Sequence, residues 1–244
     1  MRGFVDLHSH YLPAIDDGVK TADQGLALLR ALYQVGFDHV VATPHMRPSM
    51  FDNQAPGIRE AFAAMEALAV GAEYPKMSLA AEHFFDDVVY GRLMAGQGLP
   101  YGNGRAVLIE FAYERLPLAI EARFFDLRRK RLRPVVAHPE RYEPFWKKPE
   151  KAAESMRRAG GVLLLDVAAL VGKYGQKAQR TAEELVEAHA YYAACSDAHR
   201  PEDATEVGKG IERLEKLVGT HESARLLTKG PHDILTGNIL DDFD

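Results

Sequence analysis

The chain has 244 residues, 47% hydrophobic and 27% charged, which suits one globular α/β domain, 1–244. A formal charge of −5 leaves no basic stripe for nucleic acid, and a lone cysteine, Cys195, excludes an intramolecular disulfide. No apolar run resembles a signal peptide or reaches the ~18 residues that span a bilayer, so a cytoplasmic protein with no membrane insertion is expected.

The first predicted element is a strand, GFVDLH (3–8). It runs into His8 and His10, one residue apart, and then into Asp16-Asp17-Gly18. Residues i and i+2 share a face of an extended segment, so both histidines can reach one ion. Asp17 is the stronger ligand candidate; Asp16 reads as a turn residue or as the partner of a ligand. A helix over Thr21–Val35 follows, with Thr21 and Gln24 in a capping-box pattern and an apolar stripe of Leu26, Leu29, Leu32 and Tyr33. DHVVATP (38–44) is the next strand, and the helix GIREAFAAMEALAVG follows a Pro-Gly break. Further strands are MSLAAE (77–82), AVLIEF (106–111), RPVVAH (133–138), VLLLDV (162–167) and YYAACS (191–196). A helix over 117–130 opens on a proline, and the tail from Ala204 to Leu240 predicts two helices. Seven strands alternating with helices, most of them continuously apolar, point to a parallel sheet or barrel.

In a parallel barrel, functional side chains collect at the carboxyl ends of the strands. Those ends carry His8 and His10, His45, Glu82 and His83, Glu110, His138, Asp166, and Asp197 with His199. Any one of these could be an ordinary loop residue. Together they would be strongly unfavourable if buried without a cation, because clustered carboxylates repel and lose their hydration. Imidazole nitrogen with carboxylate oxygen suits Mn, Fe, Zn or Co better than Ca. The donors are too many for one ion, and a carboxylate can bridge two, so a cluster of two or three ions is expected. Such clusters serve phosphoester hydrolysis by polarising phosphoryl oxygens and activating water near neutral pH. Arg47, Arg141 and Arg200 each follow a strand-end histidine closely, and a guanidinium grips phosphate oxygens in a fork.

These motifs, His8-Ser9-His10, Asp17-Gly18, His45, Glu82, Glu110, His138 and Asp197-Ala198-His199, resemble the PHP (polymerase and histidinol phosphatase) superfamily in kind and order. DLHSHYLPAIDDG, ATPHMRPSMF, LIEF, HPERY and SDAHR resemble its CpsB/YwqE branch of bacterial protein-tyrosine phosphatases. The resemblance implies a distorted (β/α)7 TIM-like barrel with three divalent ions, usually assigned as Mn2+. It also implies a phosphotyrosine substrate on a membrane-associated tyrosine autokinase of capsule or exopolysaccharide synthesis. By the same resemblance, one ion falls to His8, His10, Glu82 and Asp197. A second shares Glu82 and adds Glu110 and His138, and a third takes Asp17, His45 and His199. Arg141 and Arg47 carry catalytic and phosphate-binding roles. Arg200 is a third substrate-binding arginine, although the family places that arginine several residues beyond the final histidine. His83 and Asp166 receive no role, Asp166 reading as a structural hydrogen-bonding residue.

Three rival chemistries are weaker. Thiol phosphatases separate cysteine and arginine by five residues, whereas four lie between Cys195 and Arg200, one of them acidic. Cys195 therefore reads as a buried strand residue. A histidinol-phosphate phosphatase would use nearly the same ligands and is the alternative. A PHP nuclease would want a basic surface, and a non-enzymatic binding module a broken ligand set.

Overall fold

The computed structural model describes residues 3–240. Strand β1 (Phe4–Ser9) leads to helix α1 (Ala22–Val35) and strand β2 (Phe37–Ala42). At the start of α1, the Thr21 hydroxyl accepts the Gln24 N–H at 3.3 Å, and the Gln24 side chain takes the N–H of Lys20 rather than that of Thr21. Gly36 ends α1 at φ 122°, a region glycine enters without penalty, and its N–H caps Leu32 and Tyr33. The buried stripe of α1 is Leu28, Leu29 and Leu32; Leu26 and Tyr33 lie at its half-buried margin.

All strand pairs are parallel. β1, β2 and β4 (Lys76–Leu79) form one ladder. The other runs β3 (His45–Met46), β5 (Glu82–Phe84), β6 (Ala106–Glu110), β7 (Arg133–Ala137), β8 (Val162–Asp166) and β9 (Ala193–Cys195). β2 and β3 are two lengths of one strand position, and β4 and β5 of the next. The expected continuous strand 77–82 is interrupted at Ala80 and Ala81. There Ala80 N–H bonds the Ala42 carbonyl at 2.9 Å and Glu82 N–H bonds that of Pro44 at 3.1 Å. Seven strand positions thus follow one another in chain order. The first and last are joined by His10 N–H to the Ala198 carbonyl and Asp197 N–H to that of His8, both 2.9 Å. The result is the expected distorted (β/α)7 barrel.

Buried Asp6 reinforces that seam by accepting the Ser196 N–H at 2.9 Å and the Ser196 hydroxyl at 2.5 Å. Alternate strand residues divide between two apolar clusters. Leu7, Val41, Leu108, Val135, Leu164 and Cys195 fill the interior, closed by Tyr101 and by Ile234 of the last helix. Val40, Val107, Ile109, Val136, Leu163 and Leu165 face the helices, where they meet α1 and the later helices. Burial on both faces is what the near-continuous apolar runs predict. Cys195 is fully buried with its thiol pushed well up by burial, so it is a core residue.

Three helical boundaries differ from expectation. α2 (Ala55–Leu68) takes the Pro-Gly pair into its first turn, where proline's missing N–H is not needed. After α3 (Asp87–Met94), α4 (Ile120–Arg129) begins three residues past its proline, because Ala119 before it is left-handed, φ 54°. The tail helix, Asp203–Ala224, breaks at Gly219 (φ 79°) and continues through a π-turn into Gly230–Thr236.

Phe124 of α4 is fully buried, with ring centroids 5.8 Å from Phe85 and 6.4 Å from Phe111. Phe124→Ala should lower the unfolding free energy by about 3–5 kcal/mol, measured by urea denaturation.

Candidate metal centre

The carboxyl ends of the strands bring nine ligand-type side chains together. β1 delivers His8 and, just past its end, His10. Asp16 shapes the following turn by accepting the N–H of Gly18 at 2.9 Å, and its other oxygen meets His10 Nδ1 at 2.8 Å. That bond fixes the His10 ring so that Nε2 faces inward. Gly18 is dictated by close approach: a Cβ there would lie 2.2 Å from the His10 carbonyl oxygen. Asp17, half-exposed, then points back to His45 Nε2 and His199 Nε2, 3.4 Å from each.

Deeper in, Glu82 is the hub. Its Oε2 lies 2.9 Å from His45 Nδ1, 3.3 Å from His8 Nε2 and 3.6 Å from His10 Nε2; its Oε1 lies 3.1 Å from His138 Nε2. Asp197 Oδ1 lies 3.1 Å from His8 Nε2 and 3.3 Å from His10 Nε2. Glu110 Oε2 lies 3.6 Å from His45 Nδ1. His138 and Asp197 both have left-handed backbone, φ 34° and 44°. Such conformations cost non-glycine residues energy and concentrate at functional sites.

Four overlapping donor groups result, each with its atoms within 4.8 Å of one another. They are His8-His10-Glu82, His8-His138-Asp197, His45-Glu82-Glu110 and His10-Asp17-His45-His199. Of the first ion's expected set, His8, His10 and Glu82 gather while Asp197 falls with His8 and His138; the third expected set, Asp17, His45 and His199, gathers with His10 added. For the second, Glu110 gathers with His45 and Glu82, while His138 gathers with His8 and Asp197. Asp197 Oδ1, Glu110 Oε2 and His45 Nδ1 are buried without a hydrogen-bond partner. Lone pairs of nitrogen and oxygen converge here on shared points, and this donor set fits divalent cations.

Burial alone would keep these groups neutral, but their neighbours sort them. Burial lowers His8, yet Asp197 and Glu82 outweigh it and leave its pKa raised. Burial raises Glu82, yet His8 and His45 hold it well below the carboxylate range. Glu110, pushed up by burial and then by Glu82, reaches about 7, whereas burial and Arg141 bring His138 down to about 4. Such divergent shifts in one cleft mark functional sites.

Of the arginines, Arg141 is held most firmly. Its Nη2 pairs with Asp166 and Asp197, and its guanidinium lies 3.6 Å over the Tyr174 ring. Arg47 lies 4.1 Å over Phe84. Arg200 is exposed, in an open cleft of about 650 Å³ that also touches Asp17, Lys20 and His199. Asp166 does make the structural bond expected of it, accepting the Ala168 N–H at 2.8 Å. Its pairing with Arg141 was not visible in the sequence, because the two lie 25 residues apart on adjacent strand ends. Glu140, beside Arg141, was also missed; it is fully buried and pushed up to about 8 by burial and by Asp166. His83 faces away from the cluster: its Nδ1 meets the Leu108 carbonyl at 2.9 Å and its Nε2 accepts the Leu99 N–H at 3.1 Å.

A parallel barrel with a His/carboxylate cluster at its carboxyl ends is a metallohydrolase architecture. The chain belongs to the capsular polysaccharide synthesis family CpsB/CapC, whose model matches residues 4–236. It is 29% identical over 236 residues to the tyrosine-protein phosphatase YwqE of Bacillus subtilis, covering 92% of this chain and 91% of that one. It is 22% identical over 242 residues to the tyrosine-protein phosphatase CpsB of Streptococcus pneumoniae, covering 97% and 100%. A crystal structure from work on those two proteins, described as unique metal-dependent tyrosine phosphatases, superposes with a TM-score of 0.86 at 27% identity, covering 95% of this chain and 94% of that one. A phosphotriesterase homology protein from Escherichia coli shares the fold at a TM-score of 0.60 and 10% identity, covering 96% and 99%.

His83 gives a pH test of the scaffold behind this site. Burial holds its pKa near 4 against 6.5 for the free side chain, so on acidification the unfolded chain binds the proton first. Its stabilising contribution is full above about 6.5 and is lost toward 4. The stability advantage of wild type over His83→Gln should therefore shrink by on the order of 3 kcal/mol over that range, read by urea unfolding at successive pH values.

Proposed function

We propose that the protein is a metal-dependent protein-tyrosine phosphatase, a phosphoric monoester hydrolase of capsule or exopolysaccharide synthesis. Its substrate is phosphotyrosine on a membrane-associated tyrosine autokinase, met in the cytoplasm. Among the described residues no helix is long and apolar enough to cross a membrane. The observation that carries the reading is the donor cluster centred on Glu82, with Arg141 on its rim, in a chain matched to the family over residues 4–236.

The ligands are His8, His10, Asp17, His45, Glu82, Glu110, His138, Asp197 and His199. The overlapping donor groups fit three divalent ions, Mn2+ foremost, with Fe, Zn or Co allowed by the same donors. When bound, such ions polarise phosphoryl oxygens and activate water at neutral pH. Glu82, with both oxygens facing histidines, would supply a donor oxygen from either side of its carboxylate when metal is bound. Arg141 and Arg47 bind the phosphoryl oxygens and offset the charge that builds on them in the transition state. Arg200, in the cleft beside His199, meets the substrate from the open side. The leaving phenolate, of pKa about 10, needs less help from a proton donor than an alkoxide would.

Chelation with EDTA followed by dialysis should abolish hydrolysis of a phosphotyrosine peptide, and added Mn2+ should restore it; activity that survives metal depletion would sink the proposal. Arg141→Ala should lower kcat/KM by about 10²–10³. Cys195→Ser should retain activity. Faster turnover of histidinol phosphate than of phosphotyrosine peptide would move the protein to the rival branch.

A further inference from the structure

We infer that Asp166 is a positioning residue: it holds Arg141 by Nη2 and so leaves the remaining donors of the guanidinium, Nε–H among them, to an anionic oxygen. The inference rests on the reading of Arg141 as the phosphate-binding arginine.

Asp166 is fully buried at the end of β8, and three bonds fix it. One oxygen accepts the Ala168 N–H at 2.8 Å, and the other pairs with Arg141 Nη2. Its own N–H donates to Glu140 Oε1 at 3.0 Å, while Glu140 Oε2 accepts the Tyr191 hydroxyl at 2.9 Å. A chain Tyr191–Glu140–Asp166–Arg141 therefore runs from the core to the rim of the cluster. Tyr174 covers one face of the guanidinium at 3.6 Å and sets its plane, while Asp166 sets its rotation within that plane.

Asp197 also takes Arg141 Nη2, but the two acids are not equivalent. Asp197 belongs to a donor group with His8 and His138; Asp166 belongs to none of the four. A cation that engages Asp197 draws its charge away from Arg141, and Asp166 is then the counter-ion that keeps the fork in place. Because both acids occupy the same nitrogen, Nε–H and Nη1 remain for another acceptor. Arg141 Nε is buried and has no hydrogen-bond partner. A buried charged donor of this kind is costly unless a ligand satisfies it, and a phosphoryl oxygen does so with a charge-assisted bond.

The test compares full-length, Mn2+-loaded wild type with Asp166→Asn, which is isosteric and keeps the oxygen that Ala168 uses. Metal content should be unchanged. Affinity for inorganic phosphate, read by calorimetry, should fall about tenfold, the scale of one charge-assisted bond. KM for a phosphotyrosine peptide should rise in proportion while kcat changes less. In 15N NMR of a diamagnetic, Zn2+-loaded sample, phosphate should shift the Arg141 Nε resonance of wild type, assigned through Arg141→Lys, and this shift should shrink in Asp166→Asn. Unchanged phosphate affinity in Asp166→Asn, or a wild-type titration that leaves Arg141 Nε unmoved, overturns the inference. The wild-type titration decides the matter even if the variant does not fold. If the protein binds phosphate through Nε yet hydrolyses no phosphotyrosine, the functional reading fails and this one stands. If it hydrolyses phosphotyrosine with Asp166→Asn unaffected, only this one fails.

Discussion

The structure depends on one constraint: three buried carboxylates and five buried or nearly buried histidines meet at one end of a barrel whose strands are otherwise packed into two apolar clusters. Glu82, Glu110, Asp197, His8, His10, His45 and His138 are all less than 7% exposed, and His199 closes the group from the rim. Removing so many ionisable groups from water is unfavourable unless each finds an opposite charge or a ligand. The fold meets that demand partly from within. Asp6 anchors the strand that carries His8, Asp16 orients His10, and Asp166 restrains Arg141, so that three acids outside the donor groups each steer a functional segment or side chain. The rest of the demand is what a cation satisfies.

That same convergence explains where the backbone departs from regularity. Ala137 sits in the interior cluster at the end of β7, so regular alternation would send the next side chain toward the helices. The left-handed turn at His138 redirects it to Glu82. Asp197 is also left-handed, just past β9, where its own N–H is tied to the His8 carbonyl. The strand breaks at Thr43-Pro44 and at Ala80-Ala81 let His45 and Glu82 start fresh segments directly opposite one another in register. The irregular geometry at Thr43-Pro44, Ala80-Ala81, His138 and Asp197 thus falls at the end of the barrel where the donor side chains gather.

Much of this was legible in the sequence, for a physical reason. Strands buried on both faces are written as apolar runs, and polar residues that interrupt such runs at their carboxyl ends stand out. His8, His10, Glu110 and His138 could be read in that way, and so could the burial of Cys195. What could not be read depends on contacts across strands. Glu110 gathers with His45 rather than with His138. The stripe of α1 is shifted by a residue, since periodicity gives a face but not its exact rotation. His83, next to the hub residue, has the composition of a ligand, yet its alternate position turns it into a backbone-bonded core residue.

The two arginines nearest the cluster show how far electrostatics and packing divide the work. Arg47 lies over Phe84 in a half-buried position that leaves its fork accessible. Arg141 is nearly enclosed, and its charge is stabilised by Asp197 and Asp166 against the cost of burial. A buried guanidinium with two carboxylates on one nitrogen loses little further entropy when it binds an anion, because its orientation is already set. The same enclosure strengthens its field on a phosphoryl group, since little water lies between them to screen it. The carboxylates that hold Arg141 also reduce its net charge, so it binds by geometry and direction more than by long-range attraction. Under the proposed function, Arg47 would recruit the anion and the restrained Arg141 would orient it, two complementary tasks for two arginines held so differently.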